Sequence, residues 1–263
     1  MTRSTWCVLV PLVSLSASLC AQTLAPSVVA ADGSVNVIFP SRPNVCGDGQ
    51  GFIRTSRGRG RDAIYSGSSE SWSTDGWTNR PCARGPARVL ATVMNGEVTR
   101  LRMFVGPVPS LPTSARTLTA SATDAASWLG ELGARSQGRV ASQAIRAMMF
   151  ADAPEPWPLI LRIARNTERP REVRQAALLW LSLGVTDHLG LSDVDEHATD
   201  DDEMRTQAVF VLTQRKNAET VSELIDLSRH AKYPSARKAA IFWLGQSGDP
   251  RAADVYAELL GIR

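Results

Sequence analysis

Apolar residues recur with helical spacing in the second half of the chain. The segments 173–181, 204–212 and 236–244 align without gaps, each with an apolar residue, an arginine and then an alanine-rich apolar run. They are spaced by 31 and 32 residues, and a weaker copy at 140–148 lies 33 residues earlier. Because the apolar positions of each copy share one stripe of a helix, the pattern predicts one helix per repeated unit.

A second helix is predicted after most copies. Apolar positions in 221–227 match those in 253–259 at an offset of 32 residues, and the earliest copy is followed by a candidate helix at 157–166. Asn217 and Asp249 precede two of these helices and are good N-caps. One helix pair cannot bury its apolar face alone, so successive units must stack. In such a stack the equivalent residues Ala208 and Ala240 face a neighbouring helix, and Lys238 faces water.

The repeat resembles the HEAT-repeat family in its short bacterial form. The apolar-Arg-x-x-Ala cores and the turn at 244–252 carry the resemblance, which covers roughly 140–263. It implies an all-α HEAT-like solenoid, and solenoids of this type mostly act as protein-binding scaffolds. The whole layout is similar to exported bacterial HEAT-repeat proteins with a small β region in front.

The first half of the chain shows strand periodicity instead. Val35, Val37 and Phe39 alternate with other residues, which predicts a short strand. Two alternating runs, 88–93 and 98–105, flank an Asn-Gly pair, which predicts a hairpin with a type I′ turn. The predicted fold class is therefore α+β. A small antiparallel β region at 22–106 is followed by a Pro-rich linker at 107–118 and the helical repeats at 119–263.

Residues 1–21 have the layout of a secretory signal peptide. A basic start precedes a 14-residue apolar stretch, and a small residue, Ala21, marks the predicted cleavage point. The stretch is shorter than the roughly 20 residues that span a bilayer. A lipid anchor on Cys20 is the alternative, although Leu19 is large for that motif, and an uncleaved anchor is another. The expected location is periplasmic or secreted.

Two cysteines remain in the mature chain. Cys46 and Cys82 lie 36 residues apart, and an even number of cysteines in an exported protein predicts a disulfide. A metal or redox pair is the competing interpretation. The pair lacks the C-x-x-C spacing and has no nearby histidine, so it makes a poor zinc site.

Composition excludes several classes of protein. The 263 residues are 43% hydrophobic, which argues against a disordered chain, and the only long apolar run is at the start, which excludes a multi-span membrane protein. A net charge of +3 is too small to predict a nucleic-acid partner. The Arg-Gly tract at 54–61 resembles an RNA-binding segment, but it lacks interleaved aromatic residues and is interpreted as a loop.

Three arginines recur at one repeat position, Arg174, Arg205 and Arg237. They could form a basic stripe for an acidic partner protein, or they could bond to the turn of a neighbouring unit. Both interpretations stay open on sequence alone.

The second unit carries an acidic segment in place of a second helix. Residues 184–203 contain eight acidic residues, among them Asp193 and Asp195, which are candidate partner-binding residues. A cation site is possible in 187–203, but Ala198 and Met204 stand where an EF-hand needs Gly and Glu. The simpler interpretation is a solvated loop whose final acids favour the start of the next helix.

Catalytic machinery is hard to assemble from this sequence. It has three histidines and no nucleophile elbow, triad order or metalloprotease motif. We therefore expect a non-enzymatic protein-interaction scaffold of the bacterial cell envelope, without metal or cofactor. The alternative, by fold analogy alone, is a HEAT-like lyase or chaperone-type enzyme acting on a partner protein, and a purely structural envelope component is a third hypothesis.

Overall fold

A computed structural model describes most of the chain. The described residues are 24–55, 63–66, 82–107, 111–191, 198–215 and 218–262. Several predictions fall outside these ranges: the signal peptide with Cys20, most of the Arg-Gly tract, Asp193, Asp195 and the N-cap Asn217.

The first part of the structure consists of one short helix and two small sheets. The elements are α1 (Leu24–Val29), β1 (Gly33–Phe39), β2 (Val45–Gly47), β3 (Phe52–Thr55), β4 (Ala63–Ser66), β5 (Ala87–Met94), β6 (Glu97–Val105) and β7 (Arg116–Thr119). One sheet has the strand order β6-β5-β1-β7, and the other has the order β2-β3-β4.

The predicted strand and hairpin are confirmed. Val35, Val37 and Phe39 are all buried along β1. Strands β5 and β6 pair antiparallel, with Met94 opposite Glu97. Asn95 and Gly96 have φ values of 54° and 78°, and a type I′ turn requires positive φ at both central residues.

The described strands within 22–106 pair antiparallel as predicted, but β7, which lies beyond them, runs parallel to β1 and makes the sheet mixed. Thr117 and Leu118 pair with Asn36 and Val37, and Asn36 Nδ2 donates a 3.3 Å hydrogen bond to Thr117 Oγ1. The end of the predicted Pro-rich linker is thus a strand. It satisfies backbone groups that β1 would otherwise leave unpaired at the edge of the sheet.

The predicted disulfide between Cys46 and Cys82 is present, with 5.3 Å between the Cα atoms. Beside it, Gly47 and Ala83 exchange two backbone hydrogen bonds of 3.0 and 2.9 Å. The disulfide and the two hydrogen bonds therefore hold the segment that precedes β5 against β2. Strands β3 and β4 lie inside this disulfide-closed segment, where the sequence showed little periodicity.

The rest of the described chain is helical. The helices are α2 (Ala122–Arg135), α3 (Gly138–Phe150), α4 (Trp157–Arg165), α5 (Arg171–His188), α6 (Asp200–Thr213), α7 (Ala218–His230), α8 (Pro234–Ser247) and α9 (Arg251–Leu259). The predicted first helices of the units are α3, α5, α6 and α8, and the predicted second helices are α4, α7 and α9. None of the helices within the described ranges is both long and apolar enough to cross a membrane.

The units do not stack in simple chain order. Helix α3 packs against α5, but α5 then packs against α8 and α9, while α6 makes its main contact with α8. A Cβ atom on Gly245 of α8 would lie 3.1 Å from the Cβ of Ser182 in α5, so these two helices approach closely. Among the described residues, the second unit has no second helix to pack against its first helix, α5. Helices α8 and α9 pack against α5 in its place.

The β region and the helices share one hydrophobic core. Arg42, which follows β1, is the clearest polar link between them. Its Nε and Nη2 donate 2.9 Å hydrogen bonds to the carbonyls of Met149 and Ala153, and its Nη1 lies 3.2 Å from Glu155 Oε1. Helix α3 also packs directly on β6. Groups from both halves of the chain therefore line the clefts between them.

Candidate functional site

Two of the three repeat arginines bond to backbone carbonyls. Arg174 donates to the carbonyls of Arg169 (3.3 Å) and Gly248 (3.5 Å), and Arg237 donates to the carbonyl of Ser228 (2.9 Å). Both side chains are half-buried. This geometry matches the structural alternative, in which the arginines tie helix ends and turns together.

Arg205 has different neighbours. Its guanidinium lies 2.9 Å from Asp202 Oδ1 and 3.2 Å from Asp201 Oδ2, and its Cζ is 3.9 Å from the centroid of the Tyr233 ring. Each of the three arginines is thus engaged by the protein's own oxygen atoms.

The acids at the start of α6 are part of a helix cap. The Oγ1 of Thr199 accepts from the Asp202 backbone N–H, and the Thr199 backbone N–H donates to Asp202 Oδ2, so the two form a capping box. Asp202 Oδ1 also accepts a 2.8 Å hydrogen bond from the Ser235 hydroxyl of α8. The bonds from Ser235 and Thr199 hold the pKa of Asp202 well below its usual range. Within the described ranges, no group of three or more His, Cys, Asp or Glu residues could hold a metal ion.

Helix α6 exposes the face that the other units bury. Met204 is 71% exposed and Val211 is 54% exposed, and Ala208 between them is also exposed. The expectation that Ala208 faces a neighbouring helix is therefore wrong, whereas Ala240 is fully buried as predicted. The reason is the stacking order, since α5 packs against α8 rather than α6.

Lys238 also differs from its prediction. Its side chain is half-buried and interacts with other groups of the protein instead of facing water freely. The N-cap of α9 is Pro250 and not Asp249 as predicted, although Asp249 Oδ1 accepts the backbone N–H of Arg251 at 2.9 Å. The accompanying hydrogen bond from the Arg251 side chain lowers the pKa of Asp249.

A groove between β6 and α3 carries three arginines. It has a volume of about 430 Å³ and is lined by Arg100 and Arg102 of β6 and by Arg139 of α3. The three side chains are exposed, and within the described ranges none of them forms an ion pair. Arg102 lies over the ring of Phe104, 5.2 Å from its centroid. The groove is therefore a cationic surface that the protein's own described carboxylates leave unneutralised.

The groove continues into a second space of about 640 Å³, with which it shares Thr99 and Val140. Apolar side chains from α1, β6 and α2 line part of this space, among them Val29, Trp128 and Leu132. Polar side chains line the rest, among them Glu97, Glu131 and Arg135. On the groove wall, the side-chain oxygen of Gln143 is buried and has no hydrogen-bond partner within the part of the chain that the structure describes. We call the two spaces together the sheet–helix groove.

Strand β6 forms one wall of the sheet–helix groove and lies at the edge of its sheet. Leu101 and Met103 are buried, whereas Arg100 and Arg102 alternate with them and are exposed. The sequence shows this alternation, but the basic side of the strand was not predicted from it. Arg139 is far along the chain, and only the packing of α3 on β6 brings it to the same groove.

The comparison with known families agrees with the repeat. Residues 195–261 match the family model described as HEAT repeats. The matched segment spans α6 to α9 and is well under half of the chain. No curated protein and no solved structure matches the chain at a significant level. HEAT repeats are generally protein-interaction motifs, so this part of the chain is compatible with a scaffold.

Proposed function

We propose that the protein is a non-enzymatic interaction scaffold that holds a partner protein in the bacterial cell envelope. Export through the signal peptide at 1–21, with cleavage after Ala21, would place it in the periplasm or outside the cell. The bonded pair Cys46–Cys82 supports this location, because structural disulfides persist in oxidising compartments. The HEAT-repeat match supports the scaffold role.

The observation that carries the proposal is the composition of the sheet–helix groove. Arg100, Arg102 and Arg139 line one end and are free of ion pairs among the described residues, and a mixture of apolar and polar side chains lines the other. Guanidinium groups bind carboxylates in a planar, two-point geometry. The groove therefore fits a partner segment that combines acidic residues with an apolar anchor.

The two ends of the groove have different roles in binding. An exposed ion pair contributes no more than about 1 kcal/mol, so three of them cannot supply a stable complex. Burial of apolar surface contributes roughly 25 cal/mol per Å², and the apolar end supplies most of the affinity. The arginines select an acidic partner and raise its association rate.

The walls of the groove also favour binding over catalysis. Their described side chains are arginines, two glutamines, hydroxyl groups, apolar residues, Glu97 and Glu131, with no histidine, cysteine or aspartate among them. Such walls offer hydrogen-bond donors and apolar contact. They offer no imidazole as a general base and no thiol as a nucleophile.

The test is capture of envelope proteins from the native host by the purified mature protein. The variant R100E/R102E/R139E is compared with wild type and with R162E, which reverses the charge of an exposed side chain on α4. We expect wild type and R162E to capture the same acidic partner, with less capture at high salt, and the triple variant to lose it. Equal capture by all three proteins would contradict the proposed groove.

A thermal-shift screen against metal ions and small metabolites tests the enzyme alternative. We expect no ligand to raise the unfolding temperature of the wild-type protein. A clear shift with a small molecule, combined with no captured protein, would favour the enzyme alternative over the scaffold.

A further inference from the structure

The exposed face of α6 has the spacing of a helix-pairing seam. Asp201, Met204, Ala208 and Val211 are exposed and follow one another at intervals of three and four residues, and the exposed Arg215 comes just after the end of α6 at Thr213. At about 100° per residue, the four residues of α6 lie within an arc of about 80°. Alternating intervals of three and four residues are those of the a and d positions through which two helices pack.

The other units show what this face normally contacts. The equivalent residues of α5, which are Val173, Ala177 and Trp180, are at most 3% exposed. Trp180 packs edge-on against Phe150 of α3, with 5.6 Å between the ring centroids, so the first helix of the previous unit covers this face of α5. For α6 that helix would be α5, but α5 packs against α8. The seam on α6 therefore has the composition of a helix-covered face, but no helix among the described residues covers it.

We propose that a second copy of the same chain covers this face, with the two α6 helices antiparallel about a two-fold axis at Ala208. This inference is independent of the proposed function of the sheet–helix groove. The seam is self-complementary, because Asp201 lies seven residues before Ala208 and Arg215 lies seven residues after it. The two-fold axis sets Asp201 of each copy level with Arg215 of the other, and Met204 of each copy next to Val211 of the other.

The residue at the axis suits this arrangement. A two-fold contact repeats each residue against itself at the axis, and only a small side chain lets the helix backbones approach closely there. Ala208 provides that small side chain, with the larger Met204 and Val211 on either side to fill the space between the helices.

The charged residues at the two ends of the seam, Asp201 and Arg215, can form ion pairs with a second copy. The Asp201 side chain is 81% exposed and the Arg215 side chain is 62% exposed. Their partners within the chain are Arg205 at 3.2 Å and Glu223 at 3.8 Å. Such exposed pairs contribute about 1 kcal/mol at most and are replaced at low cost. Arg205 also keeps its contact with Asp202, at 2.9 Å.

The interface is expected to be weak. A single pair of 14-residue helices buries less than the roughly 1,600 Å² of a standard stable interface. We therefore expect a monomer at low concentration and a dimer at high micromolar concentration.

Site-directed crosslinking tests the symmetry axis. Cys46 and Cys82 are already bonded, so A208C introduces a single new thiol in the mature protein. We expect A208C to form a disulfide-linked dimer on mild oxidation, while T206C, also exposed but on the opposite side of α6, remains monomeric. Equal crosslinking of the two variants would overturn the proposed axis.

Sedimentation analysis of charge variants distinguishes a second copy from a foreign partner. D201R alone and R215D alone each place like charges opposite one another and should not dimerise. An equimolar mixture of D201R and R215D restores both attractions and should sediment as a dimer. M204E should abolish the dimer. A wild-type protein that stays monomeric at all concentrations, or a mixture that behaves like its components, would overturn the proposal and leave the face to a foreign helix.

Discussion

The Ser235 hydroxyl of α8 donates a 2.8 Å hydrogen bond to Asp202 Oδ1 of α6. This bond joins the N-terminal ends of two helices whose apolar contact is otherwise limited. Val209 is the only residue of α6 that is buried among those the structure describes, and the ring of Phe210 lies 5.2 Å from that of Trp243. Polar contacts at one end therefore make an important contribution to the attachment of α6.

Removal of the Asp202 charge should loosen α6. The hydrogen bonds from Ser235 and Thr199 lower the pKa of Asp202 in the folded state, so its contribution to stability is present above the ordinary carboxyl range and is lost as the pH falls below about 4. In D202N we expect lower hydrogen-exchange protection of α6 at neutral pH and a smaller loss of protection on acidification. D201N, whose carboxylate contacts only the exposed side of Arg205, is the matched control. Equal effects of the two substitutions would contradict the role of Ser235.

Two repeat-equivalent alanines should respond differently to the same substitution. Ala240 is fully buried, so A240R overpacks a helix contact and buries a charge, and we expect a loss of several kcal/mol. Ala208 is exposed, so A208R should change the free energy of unfolding by no more than about 0.5 kcal/mol. Chemical denaturation at low protein concentration measures both values. Similar losses would show that α6 is packed as the simple repeat predicts.

Loss of the disulfide should destabilise the β region. The chain-entropy estimate for a loop of this size is roughly 4 kcal/mol, and C46S should cost about 2–5 kcal/mol. C82S and the double variant should give the same value, because each removes the same bond. Non-reducing peptide mapping should recover Cys46 linked to Cys82. Free alkylation of both thiols in the oxidised native protein would contradict the bond.

Two glycine-to-alanine substitutions should differ in cost, because one places a methyl group against backbone atoms and the other places it against a side chain that can rotate. A Cβ atom on Gly47 would lie 2.5 Å from the carbonyl oxygen of Val105, so the backbone must move and G47A should cost about 3 kcal/mol. A Cβ atom on Gly130 of α2 would meet the terminal methyl of Leu159, which can rotate away. Alanine also favours a helix over glycine by about 1 kcal/mol, so G130A should stay within about 1 kcal/mol of wild type. Thermal unfolding compares the two variants.

Export has a direct test. Mass spectrometry of protein from the native host should find an N-terminus at Gln22. A mature protein that retains Met1, or one that carries lipid on Cys20, would overturn the predicted cleavage.

Local patterns were the part of this fold that the sequence could predict. The Asn95-Gly96 turn, the alternation along β1 and the helices of the repeat depend on neighbouring residues, and the structure confirms them. The parallel strand β7 was missed because four residues after a proline-rich segment give too short a signal. Its pairing with β1 joins residues about 80 positions apart.

The packing order and the candidate site depended on distant contacts. Equal spacing of the repeats predicted that α5 would pack on α6, and nothing local to α8 showed that it would reach α5 instead. The one feature of the sequence that indicated a different packing order was the absence of a predicted second helix in the second unit. Arg100 and Arg102 were readable as one strand face, but their meeting with Arg139 depends on the packing of α3 against β6.

The contact between α5 and α8 makes the segment that carries α6 an excursion from the body of the molecule, whereas α7 packs on α8 and buries Leu224 in the core. An excursion whose ends are held in a core tolerates changes in length, because each doubling of a closed loop costs only about 0.6 kcal/mol. Related chains could therefore lengthen or shorten the segment around α6 while they keep α7, the α5–α8 core and the sheet–helix groove. Variation among relatives should concentrate in this excursion, where a new binding preference could arise without a new fold.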